Sequence, residues 1–457
     1  MATIWQGKVP TFEKLSGDVT FDVCVIGGGI AGLWCAYRLV KEGKRVVVLE
    51  ANKIASGTTM GSTAILTYAH DDIYHRIRKK HDISVASKYF SDAKMAIKEI
   101  VELVWKEKWE IDLEPIDYIL FSKKWKGKCH LEKELKTYDD LRHGVVRTKA
   151  NLPYRTKFAI KCSGSYQFNP VKLSICLANA IIKAGGKIFC GTMVKEAPDG
   201  EVLKVGEYSV SAKHFVVATH FPYINLPGFY WLKMYQEQNY CIAIKGSNPD
   251  FCKGQSFESI DQKGFEYRRV GENILIDGAS FRTGEKPKKS KYQIVERHIR
   301  RYFKDSNVTV RYCAQDCMTL DLLPYAGRYS HFADNVFVVS GFNKWGMTSS
   351  YIAAGVIVDM IKGELSVDAP FSANIYSPQR NVLLANIIET IENVGVIAAS
   401  FAGNLVNGNP KCPHMGCNLK WNRDEQTWDC PCHGSRFSKC GKIINNPSTE
   451  PLEIIST

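Results

Sequence analysis

The sequence predicts a mostly α/β chain: a parallel-sheet unit at its start, an α+β part threaded through that unit, and a small separate domain at its end. Three observations carry this. A glycine-rich strand–turn–helix–strand pattern occupies residues 21–50. Strand and helix segments then recur as far as residue 365. Five of the fifteen cysteines (Cys412, Cys417, Cys430, Cys432 and Cys440) fall in the last 46 residues, a clustering that suggests metal before disulfides.

A length of 457 residues leaves room for about three domains. With 45% hydrophobic and 23% charged residues, the chain is neither disordered nor fibrous. The formal charge is +13, but the basic residues are scattered, with small clusters at Lys286–Lys291 and Arg297–Arg301. No nucleic-acid reading module accompanies them, so a solvated surface, meeting at most an acidic redox partner, is expected. The apolar stretches Tyr351–Ile361 and Gly395–Val406 are too short or too interrupted to cross a bilayer. Residues 1–18 lack the basic start and apolar run of a signal peptide. The expectation is a cytoplasmic protein without a membrane span or a nucleic-acid partner.

The opening pattern reads FDVCVIGGGIAG over residues 21–32. Val23–Ile26 suits a buried parallel strand, Leu33–Lys41 has helical spacing, and a second strand, Arg45–Leu49, ends at Glu50. In a Rossmann-like unit Gly27 permits the tight turn, Gly29 lets the backbone approach a pyrophosphate, and Gly32 lets helix and strand pack closely. The helix start offers N–H groups to phosphate, and Glu50 would accept from ribose hydroxyls. These residues predict dinucleotide binding and leave FAD and NAD open.

Later segments separate the two. IASGTTMGSTAIL (54–66) follows Glu50; Val171–Val194 reads as helix, Gly-Gly turn and strand; Ser209–His220 is a strand ending at Ala218 and Thr219; Asn335–Ile352 is a strand, loop and helix start. In this order the four motifs resemble the D-amino-acid-oxidase and glycine-oxidase family of FAD-dependent oxidoreductases, over about residues 20–365. The resemblance implies that Gly27, Gly29, Gly32 and Glu50 hold the ADP half of FAD, with the Val194 backbone at the adenine and Ala218 closing the strand beside it. It places the Ser56–Thr63 stretch (Ser56, Thr58, Thr59, Thr63) beside the flavin and its phosphates, and Gly346, Met347 and Thr348 as a helix start at the flavin pyrimidine edge. A helix N-terminus there stabilises the negative charge of reduced flavin. No His stands between Ser56 and Thr63, so noncovalent FAD is expected. No second glycine motif serves a nicotinamide, which argues against an NADPH-fed reductase.

The tail reads CPHMGC at 412–417 and CPCHGS at 430–435. Cys412 and His414 are one residue apart, Cys430 and His433 two, and fifteen residues separate the pairs. Two Cys and two His suit a Rieske [2Fe–2S] cluster, thiolates on one iron and imidazoles on the other. Structural zinc pairs Cys with Cys and His with His, which these mixed pairs do not fit. The resemblance to the Rieske family covers about residues 385–457 and implies a small all-β domain. It further implies a Cys417–Cys432 disulfide, the alternative being two free buried thiols. It also implies a Ser435 hydroxyl on a cluster sulfide, and the two histidines on the exposed side of the cluster. High-potential relatives carry Tyr where this chain has Phe437, so a potential below the top of the range of about −150 to +300 mV is expected. Cys24, Cys35, Cys313, Cys317 and Cys440 are expected as small buried residues.

The chain is thus expected to divide into an FAD-dependent region at 1–365, a linker at 366–384 and the Rieske domain at 385–457. Within the first, FAD binding takes about 20–95, 155–220 and 305–365, and the substrate part about 96–154 and 221–304. Flavin accepts two electrons at once and the cluster carries one, so the pair predicts a dehydrogenase. Hydride would leave an amine or amino-acid-like small molecule, and single electrons would pass to a carrier protein such as a ferredoxin. A peroxide-forming oxidase with a structural tail and a non-catalytic electron-transfer or redox-sensing module are the alternatives. Family members acting on amino acids clamp the carboxylate with an Arg before a T-x-D-x-x-P segment. Here Thr319, Asp321 and Pro324 form the segment, but Ala314–Met318 contains no Arg. Arg282 is the candidate replacement, Arg269 another; Lys344 is the candidate to tune flavin charge or meet oxygen, and His220 a weaker one. A structural Arg and a solvated loop Lys are the alternatives.

Overall fold

The computed structural model describes residues 2–5, 7–246, 250–285, 289–363, 373–403 and 408–453. The apolar run Val23–Ile26 lies in the strand Val19–Ile26, whose last four residues are buried. It pairs in parallel with Val46–Leu49 on one side and Tyr208–Val217 on the other. Lys187–Phe189 extends the sheet beyond Val46–Leu49, and Val336–Ser340 beyond Tyr208–Val217, both in parallel. Tyr325–Arg328 and Val202–Val205 complete seven strands. The helices Ile30–Lys41 and Gly346–Lys362 pack on this sheet, and both are almost wholly buried. Burial on both faces explains why these strands read as unbroken apolar runs.

A second, nine-stranded sheet runs in the order Asn307–Thr319, Met234–Lys245, Asn273–Arg282, Phe265–Val270, Gln255–Ser259, Glu114–Ser122, Phe158–Gln167 and Ile65–Leu66, with Val146–Arg147 against Phe158–Gln167. The expected hairpin is present, its Val270 opposite Asn273. The helix Ile83–Lys106 is also as expected, opened by Asp82, whose side chain accepts from Val85 N at 3.0 Å. Two domain boundaries differ from expectation. Phe158–Gln167 and Asn307–Thr319 belong to this second sheet and not to the FAD-binding one. Their partners, Glu114–Ser122 and Met234–Lys245, lie far away in sequence.

The expected linker is anchored where it is described; residues 366–372 of it lie outside the described residues. Tyr376 is buried and donates to Asp92 at 2.8 Å. Arg380 clasps Asp321 with Nε and Nη2, the latter at 2.9 Å from Oδ1. The helix Ile387–Ala402 then precedes a four-stranded antiparallel sheet of Lys420–Asn422, Thr427–Asp429, Arg436–Ser438 and Ile443–Asn445. No helix among the described residues is long and apolar enough to cross a membrane. Cys24, Cys35, Cys313 and Cys317 are buried as expected, whereas Cys440, in the turn after the third tail strand, is exposed.

Candidate functional site

One large cavity lies where the two sheets meet the tail. Gly27, Gly29, Glu50, Ser56, Thr58, Thr59, Thr63, Val194, Ala218, Gly346 and Met347 all line it. The glycine motif shows why each position excludes a side chain. Gly27 has a φ of +114°, and a Cβ there would meet the Ala218 carbonyl oxygen at 2.4 Å. A Cβ on Gly32 would meet the Gly27 carbonyl oxygen at 1.9 Å, so helix and strand touch at that point. At Gly29 the nearest atom is the Thr59 hydroxyl at 3.5 Å, which leaves open backbone at the cavity.

The helix Ile30–Lys41 has no side-chain cap. Its Ile30 N–H donates to Thr59 Oγ1 at 3.0 Å, and Glu50 accepts from the N–H groups of Gly28 and Asn52, each at 2.7 Å. Burial pushes the Glu50 carboxyl up, and the two amides counter it. A cradle of bare backbone, an uncapped helix start and an acid at the end of the second strand fit the ADP half of FAD. The helix Gly346–Lys362 likewise starts at the cavity without a side-chain cap. Thr348 sits behind that first turn, its hydroxyl donating to the Thr67 carbonyl at 3.1 Å, and is not part of the wall.

Lys344 lies in this wall, not in solvent. Burial opposes its charge, but Glu237, Asp71, Asp316 and Glu266 hold its pKa above that of an ordinary lysine. Its Nζ is 3.4 Å from Glu237 Oε2. Arg282 is elsewhere. It donates to the carbonyls of Pro431 and Cys432 at 3.3 and 3.4 Å and to Asn393 at 2.6 Å, and it stands over the Tyr235 ring. It clamps the tail and does not line the cavity, because the strand Asn273–Arg282 ends at the docked tail. Arg269 donates to the Phe251 carbonyl.

In the tail, Cys412, Cys430 and His433 are buried and His414 is half-buried. The two histidine rings are 5.0 Å apart and nearly perpendicular. His414 Nδ1 and both nitrogens of His433 are buried without a hydrogen-bond partner among the described residues. Two thiols that interact with each other and two imidazoles with orphaned nitrogens are the donor set of a Rieske cluster. Cys417 and Cys432 are disulfide-bonded, and their sulfurs lie within 4.8 Å of that of Cys430. The Ser435 hydroxyl reaches Cys412 and accepts from Ser448 N at 3.0 Å. Only His414 keeps the expected access to solvent. His433 is turned inward against Phe221 and Trp231, because the tail docks with that side on the first domain.

The docking is built from residues the sequence did not single out. Gln236 Nε2 donates to the His433 carbonyl at 2.6 Å, Gln315 Nε2 to that of Gly434 at 2.7 Å, and Gln238 Nε2 to Asp429 at 2.8 Å. Asn446 of the tail donates to the carbonyls of Thr219 and Phe221. The available signal was the pair Gln236 and Gln238 at alternate positions of an otherwise apolar strand, both buried. Ile443, Ile444, Asn445, Asn446 and Thr449 of the tail line the same cavity as the glycine motif. His220, also in that wall, has a φ of +68° and is held neutral by burial, its pKa pushed down to about 4.

Comparison with known proteins agrees with this geometry. Residues 22–360 match the FAD dependent oxidoreductase family and residues 384–456 the Rieske [2Fe-2S] domain. A Bacillus subtilis protein, YhfW, described as a Rieske 2Fe-2S iron-sulfur protein, is 30% identical over 99% of this chain and 97% of its own. Gamma-glutamylputrescine oxidoreductase of Escherichia coli is 23% identical over 78% of this chain and 87% of its own. The glycine oxidase structure from Geobacillus kaustophilus superposes with a TM-score of 0.65 at 17% identity, covering 79% of this chain and 99% of that one. The chain therefore belongs to the FAD dependent oxidoreductase family and carries a C-terminal Rieske [2Fe-2S] domain.

Proposed function

We propose that this oxidoreductase dehydrogenates an amine or amino-acid-like small molecule and hands the electrons singly to a carrier protein such as a ferredoxin. The observation that carries the reading is the shared wall, in which Ile443–Asn446 of the tail face the same cavity as Gly27, Gly29 and Glu50. Bound FAD supplies a two-electron acceptor for an α-hydride, and a Rieske cluster supplies a one-electron carrier. The residues of this chain hold the two sites in fixed contact. Ala218, Thr219 and His220 line the cavity, and the next residue, Phe221, packs on the His433 ring at 6.0 Å between centroids. The Gln236 and Gln315 amides fix the loop that bears His433.

On the outer side His414 meets Asn225 at 2.6 Å, and the following Leu226 and Phe229 are exposed. That apolar rim beside the accessible histidine suits a docked carrier, and the +13 charge of the chain suits an acidic one. The name of the Escherichia coli relative, gamma-glutamylputrescine oxidoreductase, supports a nitrogen-bearing substrate. The test is His433→Ala, which removes a cluster ligand. Substrate should still bleach the flavin anaerobically, while turnover with a one-electron carrier protein should be lost. Full turnover with the carrier in this variant would overturn the routing.

A further inference from the structure

The second sheet presents more negative charge to the cavity than a fold has reason to keep. Glu258 stands opposite Glu266 and Glu266 opposite Asp277 in the registers of three adjacent strands. All three line the cavity. Like charges directly opposite one another across strands destabilise a sheet. Asp71 interacts with Glu258 as well, and Tyr118 donates to Glu258 at 2.9 Å. Among the described residues lining the cavity, Lys344 is the one ammonium or guanidinium. It already faces Glu237, which is itself opposite Asp316. The row of three has no cation of its own.

A second, independent observation points to a ligand there. Asp277 is 5% exposed, and its Oδ1 has no hydrogen-bond partner among the described residues. Burial pushes the Glu258 and Glu266 carboxyls up and brings Asp277 to about 7. A cationic donor would relieve both the repulsion and the unpartnered oxygen. At about 4.8 Å per strand the row spans roughly 10 Å, room for nitrogens several carbons apart.

We propose that Glu258, Glu266 and Asp277 bind a cationic nitrogen of the substrate remote from the reacting carbon, which makes that substrate a diamine or polyamine and not an α-amino acid. An α-carboxylate would add a further negative charge to this wall, with Lys344 as its sole counterion and Arg282 engaged on the tail. The proposal rests on the amine-dehydrogenase reading above.

Amines without an α C–H bond test binding apart from turnover. Calorimetric titration of the FAD- and cluster-loaded protein would use 2,5-dimethylhexane-2,5-diamine, tert-butylamine and 2-aminoisobutyrate. The dication should bind at least about tenfold tighter than either of the others, as expected for a charged hydrogen bond. Asp277→Asn and Glu266→Gln should each remove about that tenfold and leave tert-butylamine unchanged. Flavin content and melting temperature show whether each variant is folded, and the comparison of ligands on the unaltered protein needs no variant. Binding of 2-aminoisobutyrate as tight as the dication, or dication binding indifferent to both substitutions, would overturn the proposal. In parallel, butane-1,4-diamine should bleach the flavin anaerobically. Tight binding that depends on the carboxylate row, without bleaching by this or any other amine, upholds the cation site and overturns the dehydrogenase reading instead.

Discussion

Gln236 and His433 are 197 residues apart, yet the Gln236 amide donates to the His433 carbonyl at 2.6 Å and both side chains are buried. The same amide reaches the Asn446 carbonyl, and its oxygen accepts from Gln315. A carboxamide of the second sheet thereby holds the loop of a cluster ligand beside a cavity that Asn446 also lines. Gln236→Ala should leave the His433 carbonyl buried and unmet, at a cost of about 1–3 kcal/mol. Denaturant unfolding followed by the cluster absorbance measures this. Substrate-driven flavin bleaching should survive, and the cluster should be reduced more slowly.

The glycine contacts separate steric need from mere composition. Gly32→Ala would place a Cβ 1.9 Å from the Gly27 carbonyl oxygen, whereas a Cβ on Gly57 has open space around it. Gly32→Ala should therefore purify without FAD or fail to fold, and Gly57→Ala should retain a full complement. The flavin-to-protein absorbance ratio reports both.

Ser435 bears on the cluster potential. Its hydroxyl reaches the Cys412 sulfur, and a donor to a ligand sulfur favours the reduced, more negative form. Ser435→Ala should lower the midpoint potential by about 60–130 mV, the equivalent of one hydrogen bond to a charged group. Phe437 is fully buried and offers no hydroxyl, so the unaltered protein should titrate below the upper end of the Rieske range. A redox titration followed by EPR gives both values.

Arg380 and Asp321 tie the segment after residue 372 to the first domain. Asp321 is 1% exposed. Burial raises its carboxyl, but the Arg380 charge and hydrogen bonds outweigh that and hold it below the usual carboxylate range. The stability it contributes is therefore present above the unfolded carboxylate value of about 3.9 and is lost as pH falls through the lower folded value. Arg380→Ala should cost about 3–5 kcal/mol at pH 7, because a buried charge is left alone. The deficit should shrink in acid, as the now-raised carboxyl takes up a proton. Melting curves between pH 4 and 7 test the slope.

Much of this was legible in local sequence. Gly27, Gly29, Gly32 and Glu50 declare themselves because a tight turn, a helix start and a strand-end acid are all set within thirty residues. Cys412, His414, Cys430 and His433 do so because ligand chemistry fixes residue type as well as spacing. What stayed hidden depends on strand register. Glu258, Glu266 and Asp277 are unremarkable acids until three strands bring them into one row. Arg282 looks like a free cation until the tail, 150 residues later, covers it. His433 likewise looks exposed until Phe221 and Trp231 pack against it.

The central claim is that cavity and cluster form one electron path, and low-temperature EPR tests it most directly. Anaerobic protein would be mixed with pooled amines and amino acids beside a dithionite-reduced control. The account predicts a reduced-Rieske signal from the pool, traceable to one compound as the pool is divided. A signal with dithionite alone, while the pool bleaches the flavin, would contradict it.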